Sequence, residues 1–586
     1  MDATIYQNII DANRLAIRFL VVSPGPPEAP LSGTLLQNEA VLAVGNLQYE
    51  ALSYTWGNPD HKGPITINDR PCLIGGNLYT ALRALRYQDK PRYLWVDAIC
   101  INQSDIAEKN LHIPQMHLVY QQAARVVVWL GPVFEDSDVA FSHLDMLWEE
   151  ESVDGFVKRA VSSGRATPSQ VLNGTIWRPL ATLFSTPWWS RMWVVQELYF
   201  SDPSETVAVC GNEARTWDRL LLAQLLIRTG NIHIVSPQMP FGLYTGLGRS
   251  SYTLLEMRSP ETSSLWNALV RIARVRMATD PRDKIFALLN LFDREEWPFA
   301  PDYSVDAVEV YTRVTLHFMR KTNSLSILSQ CAVYDTTEEE RQIRADLRRS
   351  HLPGLPSWAP DWTLVKSTVP YYMPPDGPPT TIDPPTGSTA PYRLAGDRIL
   401  VVRGVTEDTV VAIHSIEFGP IGNYSPFTLE THGGIAAFLR AVEALRATIK
   451  QAGDRIDTEW ALLVGEENTM PTYSKADYES YRRMGSPKPN QAFFDLANNR
   501  TISRKVAATS RGRLALVPKS TELGDCVAFI VGSPSPVLLQ PVERGGSGTP
   551  EHATHYRVVE DAYVQGCTME GVLGRCPEAI REFRLQ

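Results

Sequence analysis

A short apolar run, Tyr93–Val96, breaks at Asp97, and further on a β-branched run, Val126–Leu130, stops at Gly131-Pro132. Between them a polar loop, Asn102–Asp105, gives way to a helical pattern. Pro114 suits a first helical turn, and Met116, Val119, Tyr120 and Ala123 recur at i, i+3, i+4 and i+7. Strand, helix and strand joined by short links form a βαβ unit, so the two strands must lie parallel with the helix crossing one face. That constraint narrows the chain to an open α/β sheet. Such sheets bind ligands beyond the carboxyl ends of their strands, where Asp97 and Asn102 sit.

The neighbouring segments extend the pattern. Leu15–Val22 is strand-like, and Tyr49–Trp56 is a second strand ending in the turn Gly57-Asn58-Pro59. Ile65–Asn68 and Cys72–Ile74 suit a small hairpin. Asn77 is placed to cap a helix whose Leu78, Ala81, Leu82 and Leu85 share a face. Glu135–Leu180 reads as a helical insertion, Thr186-Pro187 opens a helix running through Leu198, and Thr206–Cys210 is a further strand. From Tyr49 to Cys210 strands alternate with helices, which predicts a parallel sheet covered by helices.

Asp280–Phe292 reads as a helix with Asp280 as N-cap, Pro281 at its first position and Asp283 reaching back. Residues 305–319 continue a helical middle section, and Ser357–Trp362 is aromatic and turn-like. Residues 368–391 are rich in Pro, Thr and Gly and read as a linker or exposed loop. The remainder is β-rich: Ile399–Arg403, Val410–Ile416, Arg513–Val517, Cys526–Val531, Val537–Pro541 and Tyr556–Tyr563 suggest a small barrel. Helical inserts are expected near 435–445 and 489–509. The divisions are therefore 1–48, a β-rich segment packing on the α/β domain; 49–230, that domain; 231–366, a helical extension; 367–391, the linker; and 392–586, the β-rich module.

A chain of 586 residues exceeds one ordinary core. Its net charge of −9 argues against a nucleic-acid binder, which usually carries a basic face. Seven cysteines without a CxxC pair read as reduced thiols of a cytoplasmic or nuclear protein. Asp2, Asp11, Arg14 and Arg18 interrupt any N-terminal apolar stretch, so no signal peptide is expected. No run approaches the ~20 apolar residues of a membrane span.

Four blocks together carry a resemblance: YEALSYTWG (49–57), LWVDAICINQSDIAEKN (94–110), VYQQAARVVVWLG (119–131) and SRMWVVQEL (190–198). They resemble the successive blocks of the HET domain, the heterokaryon-incompatibility domain of filamentous fungi. DPRDKIFALLNL (280–291), PDYS (301–304), LPSWAPDW (355–362) and GRLALVPKSTELGDCVAFIVG (512–532) are similar to segments of longer members. One departure is Ser104-Asp105, where the family more often has two acidic residues. The resemblance implies a fungal protein of non-self recognition that triggers growth arrest or death of a fused cell, and the composition places it in the cytoplasm. An incompatibility partner protein and homo-oligomerisation on activation are implied too.

The family is in turn similar to TIR domains, which implies a TIR-like, flavodoxin-type parallel sheet with a helical extension and the C-terminal β-rich module. SRMWVVQEL would match the TIR helix pattern Ser-x-Trp-Cys-x-x-Glu-Leu. Trp193 then aligns with the tryptophan and Glu197 with the glutamate that some TIR enzymes use to cleave NAD. Val194 stands in place of the cysteine. The resemblance makes NAD a candidate substrate, with no bound cofactor.

Glu197 is the candidate catalytic residue. On one helix Trp189, Trp193 and Glu197 fall at i, i+4 and i+8 and form a stripe. A carboxyl beside indoles loses water, and its pKa rises. A carboxylate near a ribose stabilises an oxocarbenium-like state, and a Trp face can stack on a base. The alternative is a Glu197 that caps or pairs with a neighbouring helix while the tryptophans fill core. Candidate substrate-binding residues are Tyr54, Trp56, Gly57, Asp97, Asn102, Arg191 and Trp193. Asp97 and Asn102 could hold a ribose or phosphate, or Asp97 could fix its loop through backbone N–H groups. Trp56 could face the crevice or plug the core. Arg191 could bind a phosphate or pair with Asp97 or Glu197. No GxxxxGK[ST] or GxSxG occurs. His112 and His117 do not share a helix face, so no metal site is expected.

Overall fold

A computed structural model describes residues 17–38, 48–172, 174–229, 268–274, 276–292, 300–331, 352–364, 392–396, 398–416, 434–449, 455–464, 473–486, 504–542, 555–575 and 577–586, with residues 5, 6, 266, 493, 496, 497, 500 and 501 besides. The linker expected at 367–391 lies outside the described residues, as does much of the expected helical extension. The chain divides into two compact units, Met1–Asp306 and Ala307–Gln586.

Among the described residues the first unit carries nine strands: β1 (Ile17–Val22), β2 (Ser32–Asn38), β3 (Glu50–Tyr54), β4 (Lys62–Ile67), β5 (Arg70–Gly75), β6 (Arg92–Trp95), β7 (Arg125–Gly131), β8 (Thr206–Cys210) and β9 (Glu213–Thr216). They form one sheet in the order β5-β4-β2-β1-β6-β3-β7-β8-β9. The strands expected from the alternation, β3, β6, β7 and β8, are mutually parallel. They are arranged second-first-third-fourth, so the order reverses at β3. Beyond them the sheet is mixed: β1 runs antiparallel to β6, β2 to β1 and β9 to β8. The N-terminal strands thus join the sheet itself, and an all-parallel sheet is corrected to a parallel centre with mixed arms, in which β2 and β4 again run parallel. β4 and β5 form the expected hairpin, turning through Asn68 and Asp69 at φ 50° and 61°.

The central strands are buried along nearly their whole length, as a sheet covered on both faces requires. Helix α1 (Gly76–Leu85) buries Leu78, Ala81, Leu82 and Leu85, as its periodicity predicts. Gly75, not Asn77, precedes its first turn; the Asn77 amide instead donates to Thr55 O (2.6 Å) and accepts from Trp129 Nε1 (3.0 Å). After β6 come α2 (Asp97–Cys100), α3 (Ile106–His112) and α4 (Met116–Gln122). The helical run opens at Asp105, whose carboxylate caps Glu108 N–H, and Pro114 sits in the turn between α3 and α4. The insertion is helical as expected: α5 (Ser137–Glu150), α6 (Val153–Ser162), α7 (Pro168–Leu172) and α8 (Arg178–Phe184).

Two helices read from sequence are broken. Residues 187–198 are a tight turn, Pro187–Ser190, then α9 (Val194–Tyr199), with Arg191 extended between them at φ −66°, ψ 141°. The stripe of Trp189, Trp193 and Glu197 therefore does not exist. Trp189 packs against Phe184, Trp188 and Trp217, and its indole donates to Leu183 O. Asp280–Phe292 is likewise reduced to the turn Asp283–Phe286 and a second turn in which Asn290 has φ 27°. Asp280 ties down Arg282, and Asp283 accepts from Tyr303 Oη at 2.5 Å instead of capping.

The second unit opens with a helix, Ala307–Thr322. Its strands are β10 (Tyr392–Ala395), β11 (Ile399–Ser415), β12 (Arg504–Thr509), β13 (Leu514–Pro518), β14 (Cys526–Ile530), β15 (Val537–Val542), β16 (His555–Asp561), β17 (Tyr563–Val564) and β18 (Arg581–Leu585). β11, β14, β15, β16 and β18 pair in a ring, which closes the small barrel that the β-rich sequence suggested. β11 is one 17-residue strand where two were expected; a bulge between Thr406 and Asp408 lets it leave the barrel and pair with β12. β12 also corrects the insert expected at 489–509, whose last residues are strand. Phe438, Val442, Leu462 and Tyr478 from three helices cover Val506 and Leu516.

Candidate functional site

The site grows from the carboxyl end of β3, where the strand order reverses. Ser53 and Tyr54 point to opposite faces there. The Ser53 hydroxyl donates to the Glu197 carboxylate and accepts from Trp188 Nε1 at 2.8 Å. The Tyr54 phenol is hydrogen-bonded to Asp97. Its carbonyl accepts from the Arg191 guanidinium, which also stands 3.6 Å from Glu197 Oε1. Asp97 takes Ala98 N–H on one oxygen (2.7 Å) and Trp56 Nε1 on the other (2.8 Å).

Trp56 is 47% exposed, so it is not a core plug. Gly57 follows it at φ +78°, and a Cβ there would meet Asn77 Cβ at 3.3 Å. The left-handed turn leads the chain away after the indole and needs glycine. Asp97 fixes the ring edge, leaving an aromatic face exposed at the end of the sheet.

Glu197, only 1% exposed, is the electrostatic centre. Burial drives its pKa up; Arg191 and the Ser53 hydrogen bond oppose this, Asp97 adds to it, and the result is about 7. A carboxyl so placed is about half ionised at neutral pH. Burial also works against the Arg191 charge, but Glu197 and Asp97 outweigh it and hold its pKa above the usual value. Buried Tyr120 of α4 and Tyr54 complete the surroundings, each pushed up by burial first and by these carboxylates second.

Glu197, Arg191, Tyr54, Asp97, Trp56 and Gly57 are thus brought to one sheet end. Asn102 serves its own loop: its Oδ1 accepts Ser104 N–H, and its N–H donates to Glu108 at 2.7 Å. Glu108 is in turn paired in the interior with Arg18 at 2.5 Å. Trp193 turns to Asp283, whose pKa burial raises to about 6 against the hydrogen bonds of Tyr303 and Trp193. Lys109 Nζ lies 4.2 Å above the Tyr303 ring beside it. Sequence reasoning missed Ser53, Trp188, Glu108 and Arg18. A lone hydroxyl in a buried strand was the available signal for Ser53. In a continuous helix Trp189, not Trp188, would share a stripe with Glu197, so periodicity hides Trp188. Among the described residues no group of three or more His, Cys, Asp or Glu side chains is placed to hold a metal ion. Among them, too, no helix is long and apolar enough to cross a membrane.

Residues 49–197 match the family described as Heterokaryon incompatibility protein (HET). The chain is similar to heterokaryon incompatibility protein 6, OR allele, of Neurospora crassa, with 27% identity over 368 residues. That match spans about half of each chain, 54% of this one and 53% of the relative. No solved structure matches. The family match ends at Glu197 and contains all of the gathered residues.

Proposed function

We propose that this protein acts in heterokaryon incompatibility and that its first unit cleaves the N-glycosidic bond of NAD. The observation that carries the reading is Glu197, a buried carboxyl with a pKa near 7, hydrogen-bonded by Ser53 and faced by Arg191 at the order reversal of the sheet. The second-first-third-fourth order of the parallel strands supports a TIR-like, flavodoxin-type reading of this unit. In the reaction the bond between ribose C1′ and the nicotinamide nitrogen breaks, and its electron pair leaves with nicotinamide. Water adds at C1′ and gives up a proton, leaving ADP-ribose. Ionised Glu197 offsets the positive charge that develops on the ribose. Trp56 offers a ring face for a base, and Arg191 a cation for the pyrophosphate. NAD is consumed as substrate, and no bound cofactor takes part. The protein acts in the cytoplasm through an incompatibility partner protein, with self-association on activation, and the outcome is growth arrest or cell death.

A second reading, signalling by association without catalysis, is favoured by the 1% exposure of Glu197: a catalytic carboxylate has to reach its substrate. Incubating the concentrated full chain with NAD and measuring free nicotinamide separates the two. Release by wild type and not by Glu197→Gln supports the enzyme. Silence from both proteins, with growth arrest by both in fungal cells, favours association.

A further inference from the structure

The sequence periodicity of 187–198 favours an unbroken helix, yet the chain is extended at Arg191. In an unbroken helix Arg191 and Glu197 would be six positions apart and on different faces, because only residues three or four apart are neighbours. Something must hold the break open for the two to meet.

The second strand of contacts supplies it. Arg276 is 1% exposed, and its Nη1 donates to Trp189 O at 2.8 Å and Arg191 O at 3.1 Å. Beside it Met192 N–H donates to Met277 O (2.8 Å) and Met277 N–H to Ser190 O (2.5 Å), a parallel bridge centred on Arg191 and Met277. Lys284, 2% exposed, donates its ammonium to Ala273 O (2.6 Å) and to Arg276 O, so the clamp is itself held. Met192 has one N–H, and given to Met277 O it cannot also make an intrahelical bond, while Arg276 holds the Trp189 and Arg191 carbonyls turned toward itself. The two carbonyl contacts fall on the residues where the helix would have to continue.

We infer that Arg276, lying outside the segment 49–197, is a positioning residue for the candidate site. By holding the Trp189 and Arg191 carbonyls it keeps the break that aims the Arg191 guanidinium at Tyr54 O and Glu197. The assignment of a use to that pair rests on the NAD-cleaving reading; the positioning itself does not. The charged and titratable groups facing Glu197 are Arg191, Asp97 of α2, Tyr54 of β3 and Tyr120 of α4. Of these Arg191 is the cation, so its displacement has one sign: the carboxyl becomes harder to ionise.

The test is an infrared titration of the Glu197 carboxyl in the full chain, taken as the difference between each protein and its Glu197→Gln counterpart, which needs no NAD. Arg191→Met sets the scale and moves the midpoint up by roughly one pH unit. Arg276→Met gives at least half that shift, and Arg276→Lys, whose shorter side chain brings its ammonium less far than Nη1 toward the two carbonyls, falls between it and wild type. If the wild type releases nicotinamide, Arg276→Met lowers release about twofold to fivefold at pH 7, the loss of ionised carboxyl for a shift of roughly half to one unit, and raising the pH restores it. A wild-type midpoint in folded Arg276→Met overturns the inference, as does an unmoved Arg191→Met. If Arg276→Met does not fold, Arg276→Lys decides by the same criterion. A wild type silent toward NAD removes the enzymatic reading while the titration still decides the role of Arg276.

Discussion

The Trp188 indole N–H donates to Ser53 Oγ at 2.8 Å, and this bond settles where the Ser53 hydrogen goes. With one lone pair directed at the indole, the hydroxyl turns its own hydrogen to the Glu197 carboxylate, which can only accept. A residue of the sheet and one of the 187–190 turn thereby jointly stabilise the ionised form of a carboxyl on α9.

Ser53→Ala removes that donor and leaves the Trp188 N–H buried without its acceptor. Such a group costs about 1–3 kcal/mol, so the urea midpoint falls. The carboxyl also loses a bond to its charged form, and its titration moves upward. Ser53→Thr keeps the hydroxyl and should keep the titration. Denaturation and the carboxyl titration of the two variants check both statements.

The centre of the sheet was legible because four runs of buried residues alternate with helices, and one regularity fixes strand direction throughout. Tyr54, Trp56 and Asp97 were legible as neighbours for the same reason: they lie at or just past the ends of those strands, whereas the place of Arg191 depends on the broken helix. The 187–199 break was not legible. Its cause is a set of hydrogen bonds from Arg276 and Met277, far along the chain, and local periodicity holds no trace of them. The same holds for Asp283, whose partners Tyr303 and Trp193 come from separate segments. Leu15–Val22 is legible as a strand, but the in-plane pairing of β1 on β6 depends on edge hydrogen bonds that composition does not encode.

Glu197 also sets a pH dependence of stability. Its folded pKa, about 7, lies above the ordinary value of 4.5, so between those values the folded state holds a proton that the unfolded chain releases. Stability from this group is greatest below pH 4.5 and declines as pH rises through 7, by up to about 3 kcal/mol for the whole shift. In Glu197→Gln this decline is absent. Urea melts at pH 5, 6, 7 and 8 should show the wild-type curve falling relative to the variant; parallel curves would refute the raised pKa.

Glu108 performs a different task at the same end of the sheet. It takes Arg18 through two contacts, 2.5 and 3.2 Å, and Asn102 N–H at 2.7 Å, while only 9% exposed. Glu108→Ala leaves the Arg18 guanidinium buried without its carboxylate, a change that costs about 3–5 kcal/mol. The 101–105 loop loses its anchor with it. Expected are a lowered melting temperature and faster amide exchange at Asn102; Glu108→Gln, which can still accept both donors, should recover part of each.

Trp56 gives the cleanest separation of binding from folding. Its side chain is held by one hydrogen bond to Asp97 and is 47% exposed, so removing it opens no cavity. Trp56→Ala should therefore change stability by no more than about 0.5 kcal/mol, the range of surface substitutions. A ring stacked on a base contributes about 1–3 kcal/mol where such contacts have been truncated. If Trp56 is that platform, the KM for NAD rises roughly tenfold or more in Trp56→Ala. Trp56→Phe, which keeps a ring face but not the bond to Asp97, should lie between. Unchanged KM in both variants would remove Trp56 from the site and leave Asp97 as the anchor of its own loop, with its side chain spent on Ala98 N–H and Tyr54.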